Sequence, residues 1–287
     1  MSYVGFAWLT TIVYGFGAVV AKIATKHHID NPWLYNALWI TLTVLCIVPL
    51  AIANHVGLPQ DWGSMAWLGV ANAVSSVMFI LAFYAVDLTV LAPLSNVRTP
   101  FVALLGVLWF GEPLSLFQWV LISLVFVAGV AINIDEHMHI RSFWNKQTAL
   151  AFLWIPTSVW FQTMIKYASQ SNGYWEVALW SNVLGLLFLL PTIPLFYRDA
   201  VKTPLSRYHT TILSIILWTA GLLFSMKALG ENVSVTTAIM SLPLSMVFTV
   251  ALSVIWPKLL EKHTAKVYAI RAVSASIMFA AALMLSK

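Results

Sequence analysis

Asn31-Pro-Trp-Leu-Tyr-Asn-Ala-Leu-Trp39 and Asn172-Gly-Tyr-Trp-Glu-Val-Ala-Leu-Trp180 are one phrase written twice in this chain. In both, Asn is followed by an aromatic residue and then Ala-Leu-Trp in register, with a proline about one helix length later, at Pro49 and Pro191. Self-similarity of this kind exposes an architecture that single segments hide.

Working outward, the match extends in the same order along both halves. Lys22 and Lys166 fall at corresponding ends of apolar stretches. Tyr84-Ala-Val-Asp-Leu-Thr-Val through Pro100 pairs with Lys227-Ala-Leu-Gly-Glu-Asn-Val through Pro243, which makes Ser241 the partner of Arg98. Glu112-Pro-Leu-Ser115 pairs with Glu261-Lys-His-Thr264, where Ser115 and Thr264 are expected as helix N-caps.

Composition supplies the medium. The 287 residues are 61% hydrophobic and 9% charged, against roughly 25% charged in soluble domains. Apolar runs such as 34–53 and 63–86 reach the roughly 20 residues that cross a bilayer. Span length and turn residues predict ten membrane helices, near 3–24, 33–53, 62–86, 88–110, 115–134, 147–168, 174–197, 208–229, 233–255 and 265–285. The longest connections, 135–146 and 198–208, leave no room for an extramembrane domain.

The predicted fold is therefore an all-α integral membrane protein of ten transmembrane helices, arranged as two five-helix repeats, 1–140 and 141–287. An odd number of spans per repeat sends the second half into the membrane from the opposite side, so the repeats are expected to be inverted, with a site near the midplane between them.

The formal charge of +5 does not point to nucleic acid, because the basic residues sit singly or in small groups at the ends of apolar stretches. Eight of the fourteen Trp also lie near predicted span ends, where an amphipathic ring suits the headgroup region. Cys46 stands alone, so neither an intrachain disulfide nor a cysteine metal site is expected. The first span lacks a basic leader and a small-residue cleavage signal, so no removable signal peptide is expected. The default location is a bacterial or archaeal plasma membrane, with the lipid bilayer as surroundings. No cofactor, metal or oligomeric state is indicated.

Gly111-Glu112-Pro113-Leu114-Ser115, followed by Gln118 and Gly129, together with the Tyr84-Ala85 hairpin and the prolines of the fourth and ninth spans, resembles the EamA-type branch of the drug/metabolite transporter superfamily. The second half departs from the pattern with Leu260-Glu261-Lys262 in place of Gly-Glu and Met278 in place of Gly129. The resemblance implies alternating access around a central cavity, and substrates among amino acids, sugars, nucleotide precursors and similar metabolites. It also implies cytoplasmic termini. The loops imply the reverse: most Lys and Arg fall on the side opposite the termini, which by the positive-inside rule places both termini outside the cytoplasm.

Charge at bilayer depth is costly and marks function. Arg98 lies near the middle of the fourth predicted span and Lys227 near the end of the eighth. Both are candidates to bind a carboxylate or phosphate, the Arg through its planar fork; helix packing for Arg98 and snorkelling for Lys227 are the plainer readings. Lys22 and Lys166 read as interfacial anchors, and Glu176 as a solvated helix start.

Trp8, Tyr14, Tyr84, Asn96, Trp160, Gln162, Trp218, Ser241 and Ser245 are candidate pocket residues. Asn96 and Arg98 are two residues apart, so they point to different faces of one helix. No Asp or Glu occupies the middle of a predicted span and all seven His lie in loops or at span ends, which disfavours a proton relay. The first span also lacks the carboxylate with which small multidrug-resistance relatives bind cationic drugs.

The function expected is a secondary carrier of a small anionic or zwitterionic metabolite, with an amino acid the foremost candidate. Carriage of a neutral or cationic drug, sugar or amine is the alternative. A membrane-embedded enzyme would need converging carboxylates, an intramembrane His or a metal constellation, none of which the sequence displays. A channel fits an inverted repeat with proline-interrupted helices less well than a carrier does.

Overall fold

A computed structural model describes residues 2–27, 29–86, 91, 95–131, 146–204, 208–245, 247–248 and 265–287. Every regular element among them is helical: α1 (Tyr3–His27), α2 (Pro32–Ala53), α3 (Trp62–Ala85), α4 (Arg98–Phe110), α5 (Leu116–Ala131), α6 (Lys146–Ala168), α7 (Tyr174–Leu189), α8 (Tyr197–Lys202), α9 (His209–Glu231), α10 (Val233–Met240) and α11 (Ala265–Leu285). Five stretches are long and apolar enough to cross a membrane: Tyr3–Thr25, Pro32–Ala53, Trp62–Ala85, Tyr174–Leu195 and His209–Glu231.

Proline sets three departures from the predicted spans. The expected span 174–197 is α-helical only to Leu189 and continues as a tighter 3-10 helix through Leu190–Leu195, where Pro191 and Pro194 remove two backbone donors. The expected span 233–255 ends its first helix at Met240, because the ring of Pro243 collides with a fourth-preceding carbonyl. The expected span 88–110 is helical from Arg98, after a 3-10 turn at Ser95–Val97; Pro100 sits in the first turn of α4, where its missing N–H costs nothing. Residues 87–90, 92–94 and 249–255 of these spans lie outside the described residues.

The helices pack in a cross-linked order. α1 lies along α9 and α3 along α6; α2 meets α7, α4 meets α10 and α5 meets α11. Polar pairs tie the apolar faces, as lipid-embedded helices require in the absence of a hydrophobic drive between them. Tyr35 Oη is 2.9 Å from Ser214 Oγ, Thr43 Oγ1 is 3.0 Å from Thr219 Oγ1, and Asn72 Nδ2 donates to Asn182 Oδ1 at 3.3 Å.

Residues of the Gly-Glu-Pro-Leu-Ser stretch each have a mechanical task. Gly111 ends α4 in the left-handed conformation, φ 62°, which a side chain would strain. Ser115 and Gln118 form a reciprocal cap at the start of α5: Gln118 N donates to Ser115 Oγ at 3.2 Å and Ser115 N to Gln118 Oε1 at 2.9 Å. The expected cap at Thr264 lies outside the described residues.

Glu112 is buried at the N-terminus of α10. Its carboxylate accepts from Val233 N at 2.7 Å, Ser234 N at 3.0 Å and the Ser234 hydroxyl, placing negative charge where the helix dipole and orphan N–H groups favour it.

Lys22 and Lys166, expected as interfacial anchors, instead secure hairpins. Lys22 Nζ donates to Phe83 O at 2.9 Å and Val86 O at 3.1 Å. Lys166 Nζ donates to Glu231 O and lies 3.6 Å from Glu112 Oε1. The cause is reach: each ammonium finds carbonyls left open at a helix end. Glu176 reads as expected, accepting from Gly173 N at 3.1 Å in the first turn of α7.

Candidate functional site

Between α1, α2, α3, α6, α7, α9 and the broken stretch 240–245 lies a cavity of about 200 Å³. The proline-enforced break positions its charge. Because the chain turns through Ser95–Val97 before α4 begins, Arg98 is the first residue of the helix and lines the cavity. Its guanidinium carbon lies 5.5 Å from the ring centroid of Trp154, and its Nε is buried without a hydrogen-bond partner.

Magnitudes decide what that means. An arginine at bilayer depth costs at least about 2.5 to 3.5 kcal/mol. A desolvated cation–π contact returns about 2 kcal/mol. Among the described residues no carboxylate pairs with Arg98, so the stacked ring leaves the charge under-compensated and open to an anion.

The wall beside it is aromatic. Phe79 stands 5.1 Å from Trp154, 5.5 Å from Trp39 and 5.5 Å from Trp218, and Tyr14 stands 4.7 Å from Trp218 by ring centroids. Another part of the lining is polar and neutral, formed by Asn72, Ser75, Ser158, Gln162 and Asn182. Two side-chain relays hold α10 against this region: Thr99 Oγ1 donates to Ser241 Oγ at 2.6 Å, which donates to Thr237 O at 2.7 Å, while Thr237 Oγ1 donates to Gln162 Oε1 at 2.7 Å.

Of the residues singled out from sequence, Arg98, Tyr14, Gln162, Trp218 and Ser245 line the cavity. The others are held elsewhere. Ser241 is consumed by the Thr99 relay behind the wall. Tyr84 donates its hydroxyl to Ile29 O at 2.7 Å. Trp160 meets Trp67 edge to face at 6.2 Å, away from the cavity. Asn96 is fully buried, its amide pressed against Gly129. The geometry does not bring Lys227 to Arg98: Lys227 lies 3.7 Å from Glu231, one turn on along α9, with about two-fifths of its side chain exposed.

Sequence reading overlooked Trp39, Asn72, Ser75, Phe79, Trp154 and Asn182. A signal existed for α3, because Asn72, Ser75, Ser76 and Phe79 recur at helical spacing and interrupt an apolar span with one polar stripe. For Trp39 and Trp154 no such signal exists, since a tryptophan in a span reads equally as packing.

Residues 1–134 match the model of the EamA-like transporter family. The EamA-like match ends just before the chain enters its second half, and it agrees with the resemblance carried by Gly111 to Ser115, that of a drug/metabolite transporter superfamily member. The first part of the chain is thus similar to a family of transporters, and five stretches of the chain are long and apolar enough to cross a membrane. No curated protein sequence matches. Among solved structures 28 chains match. One, described only as "Crystal structure of protein", superposes with a TM-score of 0.71 at 13% identity, over 99% of this chain and 97% of its own. At that identity the likeness shows the fold alone.

Proposed function

We propose that this protein is a secondary carrier that moves a small anionic metabolite, or a zwitterionic one presenting a carboxylate, across a prokaryotic plasma membrane by alternating access. The observation that carries the reading is Arg98: part-buried with its Nε buried and unbonded, without a carboxylate partner among the described residues, and lining a cavity at a helix break. Broken helices at a central cavity are where secondary transporters hold their substrates.

Two inverted halves, 1–140 and 141–287, forming ten spans, belong to the same proposal. The packing supports it by exchange of partners: α1 on α9 answers α6 on α3, α1 on α10 answers α6 on α4, and α2 on α7 answers itself. Lys22 on the Phe83 and Val86 carbonyls answers Lys166 on the Glu231 carbonyl.

Flux into proteoliposomes tests the carrier. A panel of charged metabolites should yield saturable counterflow for an anion; Arg98→Lys should weaken it by losing the planar fork, and Arg98→Ala should abolish it in protein that remains folded. Transport at the parent rate by folded Arg98→Ala, or a best substrate that is a cation without an acidic group, would overturn the proposal.

A further inference from the structure

Taking the cavity as the carrier's substrate site, as proposed above, we infer that it selects a planar monocarboxylate that has no ammonium group and ends in a neutral hydrogen-bonding group. Four features of the cavity converge on that chemistry.

The apolar part is a slot of flat faces. Trp154, Phe79, Trp39 and Trp218 form a run of neighbours with centroids 5.1 to 5.5 Å apart, tilted or edge to face. Rings so arranged leave faces against which a flat body stacks better than a branched aliphatic one.

Among the described residues only one sign of charge is offered. Arg98 lines the cavity, and no Asp, Glu or His does so among the described residues. A carboxylate seated on that guanidinium would hold an α-ammonium two bonds away, beside a like charge and with no acid to offset it. Burying an ammonium without a partner is strongly unfavourable.

Backbone carbonyls do not fill the gap. At broken helices it is the unwound carbonyls that coordinate cations, and around 240–245 several of them are already engaged. Thr237 O accepts from Ser241 N and Oγ, Ile239 O from Thr11 Oγ1 and Leu242 N, and Leu242 O from Leu244 N.

At the other end stand neutral groups with unused capacity. Thr237 fixes Gln162 through its Oε1, which leaves the amide Nε2 without a partner, and Ser75 Oγ makes no hydrogen bond among the described residues. Gln162 lies eight residues beyond Trp154, the ring that Arg98 covers, on α6, about 12 Å of helix rise. A ring carrying a short acid chain fits a site of that length once the reach of the two side chains is taken off.

A matched set of probes tests this by calorimetric titration of the purified full chain: hydroxyphenylpropionate, phenylpropionate, L-tyrosine and tyramine. Hydroxyphenylpropionate differs from L-tyrosine only by the missing ammonium. It should bind at least about tenfold more tightly than L-tyrosine, with no binding of tyramine. Gln162→Leu should erase its advantage over phenylpropionate, while Arg98→Ala should abolish binding of both acids. L-tyrosine binding as tightly as hydroxyphenylpropionate would overturn the selectivity and leave the anion carrier standing. Tyramine binding while both acids fail would overturn the carrier proposal as well. Failure of all four at millimolar concentration, while another anion is transported in an Arg98-dependent manner, would overturn the inference alone.

Discussion

Glu112 Oε1 lies 3.6 Å from Lys166 Nζ, and between them these two residues tie the loop after α4 to the start of α10 and the end of α9. The pair joins the first half of the chain to the second, because Glu112 and Lys166 are separated by the whole of α5 and most of α6. Its site is well shielded, with Glu112 side-chain exposure of 5% and that of Lys166 14%. Removing one partner of a buried pair typically costs about 3 to 5 kcal/mol because the other is left uncompensated. Glu112→Ala should therefore destabilise by about 3 kcal/mol, with Glu112→Gln milder because its one amide oxygen still accepts from Val233 N or from Ser234. Unfolding in mild detergent measures both, and a combined Glu112→Gln, Lys166→Met variant should lose less than the sum of the singles.

Gly129 allows the Asn96 amide to reach α5: a Cβ built on Gly129 would overlap the Asn96 side chain. Gly129→Ala should cost about 1 to 3 kcal/mol by overpacking. Adding Asn96→Ala should restore much of that stability, since it vacates the space and removes an amide whose buried atoms have no partner. Thermal midpoints of the three variants check this, and an unrepaired double variant would contradict the packing.

Thr237 positions Gln162 through a 2.7 Å hydrogen bond. Thr237→Val keeps the shape and deletes the donor, so Gln162 should lose its fixed orientation at a cost near 1 kcal/mol, or about a fivefold loss of substrate affinity. Counterflow should show the change in half-saturation rather than in maximal rate. Thr236→Val, whose hydroxyl bonds only to Ala228 O, should leave half-saturation unchanged.

Asp61 caps α3 from outside the membrane-spanning segments, accepting from Gly63 N at 2.9 Å and Ser64 N at 3.2 Å. Hydrogen bonding by Ser64, with Gly63 adding to it, holds its carboxyl below the ordinary aspartate range. A folded-state pKa lowered in this way contributes stability above the unfolded value of 3.8 and loses it as pH falls through the folded value. The thermal midpoint of the parent should therefore drop relative to Asp61→Asn only on acidification below that range. A constant difference between the two from neutral to acid pH would refute the account.

Spans of membrane-crossing length and the Ser115 cap were legible in the sequence because each depends on local chemistry: apolar length determines insertion, and Ser115 caps the residue three positions on. Arg98 was legible for a related reason, since charge in an apolar run is costly whatever surrounds it. The helix breaks were not, since Pro191 and Pro243 end α-helix while Pro49 and Pro156 stay inside theirs. Neighbourhood was not legible, because it depends on how helices rotate against one another. Only packing sent Lys166 to Glu112, whereas Lys227 meets Glu231 one turn on along its own helix, although both lysines look alike in an apolar sequence. Likewise, only packing turned Trp39, Phe79 and Trp154 towards Arg98 while directing Trp160 to Trp67. One residue along a helix is a rotation of about 100°, enough to carry a side chain from the cavity to the lipid, and that angle is decided by the tertiary fit.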